Sequence, residues 1–228
     1  MKKLVVLTGA GISAESGIKT FRDMGGLWEE YDIEEVASPQ GWENNMELVL
    51  DFYNQRRKQL LECKPNEAHY KLAELEKDYD IQIITQNVDD LHERAGSKNI
   101  LHLHGELNKT MSTGDSSLVY KMESWDLKKG DLSEKGFQLR PFIVWFGEAV
   151  PMMEQAIRIT EKADILAVVG TSLNVYPAAG LLNYVKPNIP IFLIDPNDVN
   201  CYRKVTIIKE KASTGVTRLA EILISQKY

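Results

Sequence analysis

Polar residues gather where short apolar runs stop. The run at 4–8 gives way to Gly9-Ala10-Gly11-Ile12-Ser13-Ala14, and the run at 81–85 to Gln86-Asn87-Val88-Asp89-Asp90. The runs at 100–103 and 165–169 end in His104-Gly105 and Gly170-Thr171-Ser172. The first cluster is a G-x-G-x-x-A match. Glycines there allow a tight turn and close approach of backbone N–H groups to a pyrophosphate, which the next helix N-terminus also attracts. Alone, the motif equally describes a strand-to-helix turn of no function; its place directly after a strand favours dinucleotide binding. The acidic residue usually found about twenty positions on should close a second strand. Here Glu29 and Glu30 fall in a loop instead. A standard dehydrogenase site, and with it hydride transfer, is disfavoured.

His104 is the natural proton carrier of this set. A lone histidine is more often structural, bonded to a backbone carbonyl. Metal ligation with His92 and His102 is conceivable, although His102 suits an inward-packed position. Amid so many polar groups at strand ends, a general base with a pKa near neutrality is the better reading of His104.

The elements that must position these groups follow from the apolar pattern. Runs at 4–8, 81–85, 100–104, 142–145, 165–170 and 191–195 lack alternation, as expected of strands buried on both faces of a parallel sheet. Helical patterns at 45–62, 66–77, 151–162, 178–185 and 214–225 separate them. The fold class is therefore α/β, a Rossmann-like doubly wound parallel sheet, whose ligand crevice lies at the carboxyl ends of the strands. Two stretches break the rhythm. Residues 19–39 read as a long loop over a site. Residues 106–139 form an insertion rich in Ser, Lys, Asp and Gly, with 118–120 as a strand.

Composition sets the bounds. With 228 residues and 43% hydrophobic content, the chain can bury one substantial core. A net charge of −6 argues against nucleic-acid binding. The apolar run after Lys2-Lys3 is too short for a signal peptide, and none approaches the roughly 18 residues of a membrane span. Cys63 and Cys201 stand far apart in no motif. The cytoplasm is the expected compartment.

Together the motifs resemble the sirtuin family of NAD-dependent protein deacylases. The matching segments are GAGISAESGIKTFR at 9–22, TQNVDDLH at 85–92, His104-Gly105, RPFIVWFGE at 140–148 and GTSLNVYPAA at 170–179, in the family's order. The resemblance implies an NAD site formed by Gly9, Ala10, Gly11, Thr20, Phe21, Arg22, Gln86, Asn87, Asp89, Gly170, Thr171 and Ser172. Asp195 and Ala212 would stand at the adenosine end. It also implies the chemistry. The acyl oxygen of a substrate lysine attacks C1′ of the nicotinamide ribose, and nicotinamide leaves. His104 deprotonates a ribose hydroxyl, and water then releases lysine and O-acyl-ADP-ribose. Asn87 and Asp89 would order ribose and water, while the loop at 19–39 shields a cationic transition state. An acyl-lysine protein substrate would lie as an added strand between 144–148 and 173–175, contacting Val144, Phe146, Gly147 and Val175. Alternatives within reach of the same motifs are ADP-ribosyl transfer, NAD hydrolysis, and a non-catalytic NAD or ADP-ribose sensor.

The chain departs from the family between Gly105 and Arg140, where most sirtuins carry four zinc-binding cysteines. Here that interval holds neither Cys nor His. A structural zinc of the usual type lacks its ligands. The insertion is expected to cohere through Leu118, Tyr120, Met122, Trp125, Leu132 and Phe137. Asp195 stands where the family usually has asparagine.

The helix at 45–62 bears on the acyl group. Its apolar stripe, Met46, Val49, Tyr53 and Leu60, places Arg56 on the inward face, whereas Arg57 is expected to reach solvent more easily. An inward guanidinium wants an anion. It either pairs with an internal carboxylate or snorkels outward, or Tyr53 and Arg56 grip the carboxylate of a succinyl or malonyl group. Tyr53-Asn54-Gln55-Arg56 resembles the Tyr-x-x-Arg signature of desuccinylating sirtuins, which favours the grip; acetyl-lysine still fits such a pocket.

Overall fold

Lys3–Thr8 carries four consecutive aliphatic residues and forms strand β1, buried on both faces. The computed structural model describes residues 1–18 and 31–226. Thr20, Phe21 and Arg22 lie outside them. Strands β2 (Asp80–Thr85) and β3 (Ile100–His102) extend the sheet on one side of β1. Strands β4 (Gly105–Ser112), β5 (Val119–Lys121) and β6 (Leu139–Ile143) make a separate antiparallel sheet in the order β5-β4-β6. Strands β7 (Ile165–Val169), β8 (Ile191–Ile194) and β9 (Thr206–Ile208) complete the parallel sheet, whose order is β3-β2-β1-β7-β8-β9. The winding reverses between β1 and β7. A crevice opens at such a switch point, beyond the carboxyl ends of the strands.

Helices α1 (Ile33–Val36), α2 (Pro39–Asn44), α3 (Met46–Glu62), α4 (Glu67–Leu75), α5 (Leu91–Ala95), α6 (Met153–Thr160) and α7 (Ala212–Gln226) surround the sheets. Their starts follow local chemistry. Ser38 accepts the Gly41 N–H with Pro39 in the first turn, Asn45 accepts the Leu48 N–H, and Asn66 closes a capping box with His69. Leu72 and Leu75 of α4 with Val216, Leu219 and Leu223 of α7 cover one face of the parallel sheet. Ala156 of α6 and Leu181 and Leu182 cover the other. A third cluster joins Val49, Phe52 and Tyr53 of α3 to Trp145. Among the described residues no helix is long and apolar enough to cross a membrane.

Four expectations are corrected. Residues 178–185 do not form an α-helix; Ala178–Tyr184 is 3-10. The run at 142–145 does not enter the parallel sheet, because β6 pairs with β4. Residues 33–39 of the expected loop belong partly to α1 and α2. The insertion does not cohere through the expected apolar packing of Trp125, Leu132 and Phe137, which are 42%, 55% and 47% exposed. Backbone pairing takes their place. The β4 ladders supply it, a Ser112–Ser133 hydroxyl contact of 3.1 Å lies beneath, and Asn54 of α3 bonds both ways to Leu127. Its Nδ2 donates to the Leu127 carbonyl (3.0 Å), and its Oδ1 accepts the Leu127 N–H (2.9 Å). An amide side chain thus imitates a strand neighbour and ties the insertion to the body.

Gly105 makes the entry into this sheet possible. Its φ is +84°, and a Cβ would stand 2.0 Å from the Phe142 carbonyl oxygen. Gly105→Ala is expected to cost about 2–4 kcal/mol, through left-handed strain plus the clash. A urea midpoint left where it was in this variant would show that β4 and β6 can part without cost.

Candidate active site

The turn after β1 and the turn after β7 touch. Gly9 donates its N–H to the Val169 carbonyl at 3.0 Å, and Gly11 donates to the Gly170 carbonyl at 2.9 Å. A Cβ on Gly11 would lie 2.6 Å from Gly170 Cα, and one on Gly9 2.7 Å from Thr171 Cβ. The glycines are therefore needed first for backbone-to-backbone contact across the switch point. Gly170 itself has φ +61°. Their motif was legible, but this reason for it was not.

The end of β2 meets that turn from the other side. Asn87 Nδ2 donates to the Gly9 carbonyl and to Ser13 Oγ, both at 3.1 Å. Ser13 Oγ donates to Asp89 Oδ2 at 2.9 Å. Gln86 Nε2 donates to Thr171 Oγ1 at 3.2 Å. Asn87, Asp89, Ser13 and Thr171 are all buried. Burial raises the Asp89 pKa, opposed by the N–H of Leu91 and the hydroxyl of Ser13. Ser13 was missed as a site residue, although it sits inside the glycine motif.

His104 is half-buried just beyond β3, with Nδ1 2.9 Å from the Gln86 carbonyl oxygen. A carbonyl only accepts, so in the neutral ring Nδ1 carries the proton and Nε2 keeps its lone pair. Burial holds the pKa below the ordinary histidine value, against the pull of the Gln86 carbonyl. The ring is thus a neutral base near pH 7. Its neighbour His102 is the opposite case. Nδ1 faces the Asn87 carbonyl at 3.0 Å and Nε2 faces Glu93 Oε1 at 2.8 Å. Both nitrogens donate, as an imidazolium requires. Burial opposes this charge, yet the Glu93 carboxylate keeps the pKa raised.

Asp195 closes β8, buried, with Oδ1 accepting the Asn197 N–H at 2.9 Å. Ala212 opens α7 and is buried. The adjacent Ser213 N–H and hydroxyl are both held by the Glu15 carboxylate at 2.9 and 2.7 Å. Glu15, unforeseen from the sequence, thus caps α7 from the glycine turn.

On the other flank Tyr53 is fully buried in α3, its hydroxyl accepting from Trp145 Nε1 at 3.0 Å. The Arg56 guanidinium lies 5.9 Å from the Tyr53 ring and 5.6 Å from that of Phe52. The expectation for Arg57 is overturned: it is only 4% exposed. The insertion covers that face of α3 and offers the Leu107 carbonyl to Nε at 2.7 Å, while Asn54 of the same helix accepts from Nη1 through Oδ1 at 2.8 Å. Phe146 and Val175 are exposed, as suits residues met by a ligand. The amides of Val144, Trp145, Phe146 and Glu148 are already engaged, by His104 O, Glu148 Oε2, Ala37 O and Trp145 O. Of this segment, Gly147 alone has an amide without such a bond among the described residues.

The Sir2 family pattern matches residues 9–177. The chain belongs to the Sir2 family. A Bacteroides thetaiotaomicron NAD-dependent protein deacylase is 57% identical, covering 98% of this chain and 99% of its own. A Helicobacter pylori protein of the same name is 58% identical, with 98% of each chain covered. A Sir2 homologue solved with NAD superposes with a TM-score of 0.88 at 41% identity, covering 99% of this chain and 90% of that one. A Sir2 protein solved with a deacetylated p53 peptide and 3′-O-acetyl-ADP-ribose gives 0.77 at 29% identity, covering 96% and 92%.

Beneath the Sir2 glycine turn lie two further histidines. His92 Nε2 meets Thr8 Oγ1 at 3.2 Å, and its ring stands 4.9 Å from that of His69. Burial pushes His69 down to about 4 and His92 well below the ordinary value. Folded-state values below the unfolded one mean stability that is complete above about pH 6.5 and lost as the pH falls. For His69 the loss amounts to roughly 3 kcal/mol between pH 6.5 and 4. His102, with its raised pKa, has the opposite slope. The urea midpoint is expected to fall steeply from pH 6.5 to 4.5, and less so in His69→Leu. A flat midpoint in the unaltered chain would contradict the buried neutral pair.

Proposed function

We propose that this Sir2 protein is an NAD-dependent protein-lysine deacylase that prefers succinyl and malonyl groups over acetyl. The observation that carries the activity is His104: a neutral imidazole, its tautomer set by the Gln86 carbonyl, beside Asn87 and Asp89 at the switch point. The donor set fits a dinucleotide. Amides and hydroxyls of Gln86, Asn87, Thr171 and Ser172 and the carboxylates of Asp89 and Asp195 are the groups that bind ribose hydroxyls, and bare glycine backbone leaves the turn open to a pyrophosphate. The name of its relatives, at 57–58% identity over nearly the whole chain, supports the same reading.

Bound NAD supplies an electrophilic ribose carbon with nicotinamide as leaving group. The chain does the rest. Gly9, Ala10 and Gly11 bind the pyrophosphate. Asn87 and Asp89 orient the ribose and the attacking water. His104 Nε2 takes the proton of a ribose hydroxyl. Val144, Phe146, Gly147 and Val175 line the path of the acyl-lysine stem. Arg56, on the inward face of α3, and the Tyr53 hydroxyl receive the acid group at its tip. The test is one peptide carrying succinyl-, malonyl- or acetyl-lysine in turn. Larger kcat/KM for the two acidic groups is expected; a preference for acetyl would keep the deacylase and remove the acidic pocket.

A further inference from the structure

Trp145 is held from four sides. Its backbone N–H donates to Glu148 Oε2 at 2.8 Å, and Glu148 is paired bidentately with Arg140 at 2.8 and 2.9 Å. The Arg140 guanidinium carbon stands 3.5 Å from the centre of the Trp145 ring, and Trp42 packs on that ring at 5.7 Å. Its indole N–H donates to the Tyr53 hydroxyl oxygen at 3.0 Å, and the ring is 2% exposed. An indole stacked between an ion-paired guanidinium and a second indole is held in one rotamer. The direction of its N–H is therefore fixed.

That direction decides where the Tyr53 proton goes. An indole N–H donates and never accepts, so the phenol oxygen must be the acceptor in this contact. A phenolic O–H prefers the ring plane and has two orientations in it. The Trp145 hydrogen occupies the lone pair on one side, which leaves the Tyr53 proton aimed away from Trp145. Burial holds the Tyr53 pKa up at about 12, so the proton stays on the oxygen. A phenol already accepting a hydrogen bond is also a stronger donor in the next one.

We infer that Trp145 is a specificity-positioning residue: its N–H locks the Tyr53 hydroxyl as a donor toward the acid group of an acyl-lysine substrate. The inference rests on the acidic-acyl reading above. Arg140 and Glu148, which that reading leaves without a task, serve as the brace of the indole. An acetyl group presents no acceptor at that depth and a succinamoyl group only a neutral one, so the lock matters chiefly for acidic groups.

The experiment is a double-mutant cycle between Trp145→Phe and Tyr53→Phe, with kcat and KM measured on succinyl-lysine, succinamoyl-lysine and acetyl-lysine peptides. Trp145→Phe should raise KM for the succinyl peptide about tenfold, the size of one hydrogen bond to a charged group. The kcat for that peptide and both constants for the other two should stay within twofold. The double variant should be no worse on succinyl-lysine than Tyr53→Phe alone, because the lock acts only through that hydroxyl. Should Trp145→Phe fail to fold, 3-benzothienylalanine at position 145 keeps the ring's shape without its N–H, and the same constants are read. Losses that add in the double variant, or a loss shared equally by acetyl-lysine, overturn the inference and leave the acyl preference standing. A chain without succinyl preference overturns both.

Discussion

Replacing His104 with alanine is expected to remove deacylation and to leave NAD binding within a few-fold of the original. A positioned general base contributes on the order of 10²–10⁴ in rate, and this ring stands at the carboxyl end of β3 with one nitrogen unprotonated. Its Nδ1 is tied to the Gln86 carbonyl. That bond selects the tautomer whose Nε2 keeps a free lone pair. Burial lowers its pKa, so the base is ready below the usual histidine range. The acid limb of kcat/KM should accordingly fall below pH 6.5, the unperturbed value. Full activity in His104→Ala would overturn the general-base role. Loss of NAD affinity in proportion to activity would reassign the ring to cofactor binding.

Replacing Arg56 with methionine should depress desuccinylation at least ~30-fold more than deacetylation, since truncating one partner of a buried charged pair costs about 2–5 kcal/mol. Arg56 is set among Phe52, Tyr53 and the site-side residue Asp89, and burial pulls its pKa down while Tyr53 and Asp89 support its charge. On the proposed reading, the carboxylate of the acyl group adds to that support. Arg57→Met is the useful contrast. Its guanidinium serves the Leu107 carbonyl and Asn54, so it should lower thermal stability and spare the acyl ranking. Equal losses on both peptides in Arg56→Met would return that residue to a structural role.

Much of this was readable in the chain. Uninterrupted runs such as Val5-Val6-Leu7 and Ile165–Val169 could only be strands buried on both faces, and the polar residues behind them marked the crevice. What was hidden depends on a third element. The period of α3 turned Arg56 inward and Arg57 outward; it could not foresee that the insertion would cover Arg57. Strand β4, Gly105–Ser112, reads as polar because its ladder rather than its side chains carries the contact. Strand β9 is three residues, two of them exposed, and offers no pattern at all. The Tyr53–Trp145 bond joins residues 92 apart in sequence, and the family-like segment around Trp145 gave no hint of it.

The central claim is NAD-dependent deacylation, and one stoichiometry tests it. A succinyl-lysine peptide is incubated with the chain, with and without NAD, and peptide, nicotinamide and nucleotide are followed by mass spectrometry. Free lysine, nicotinamide and O-succinyl-ADP-ribose are expected in equal amounts, and only with NAD. Nicotinamide released while the peptide keeps its acyl group would contradict it and point to NAD hydrolysis or ADP-ribosyl transfer.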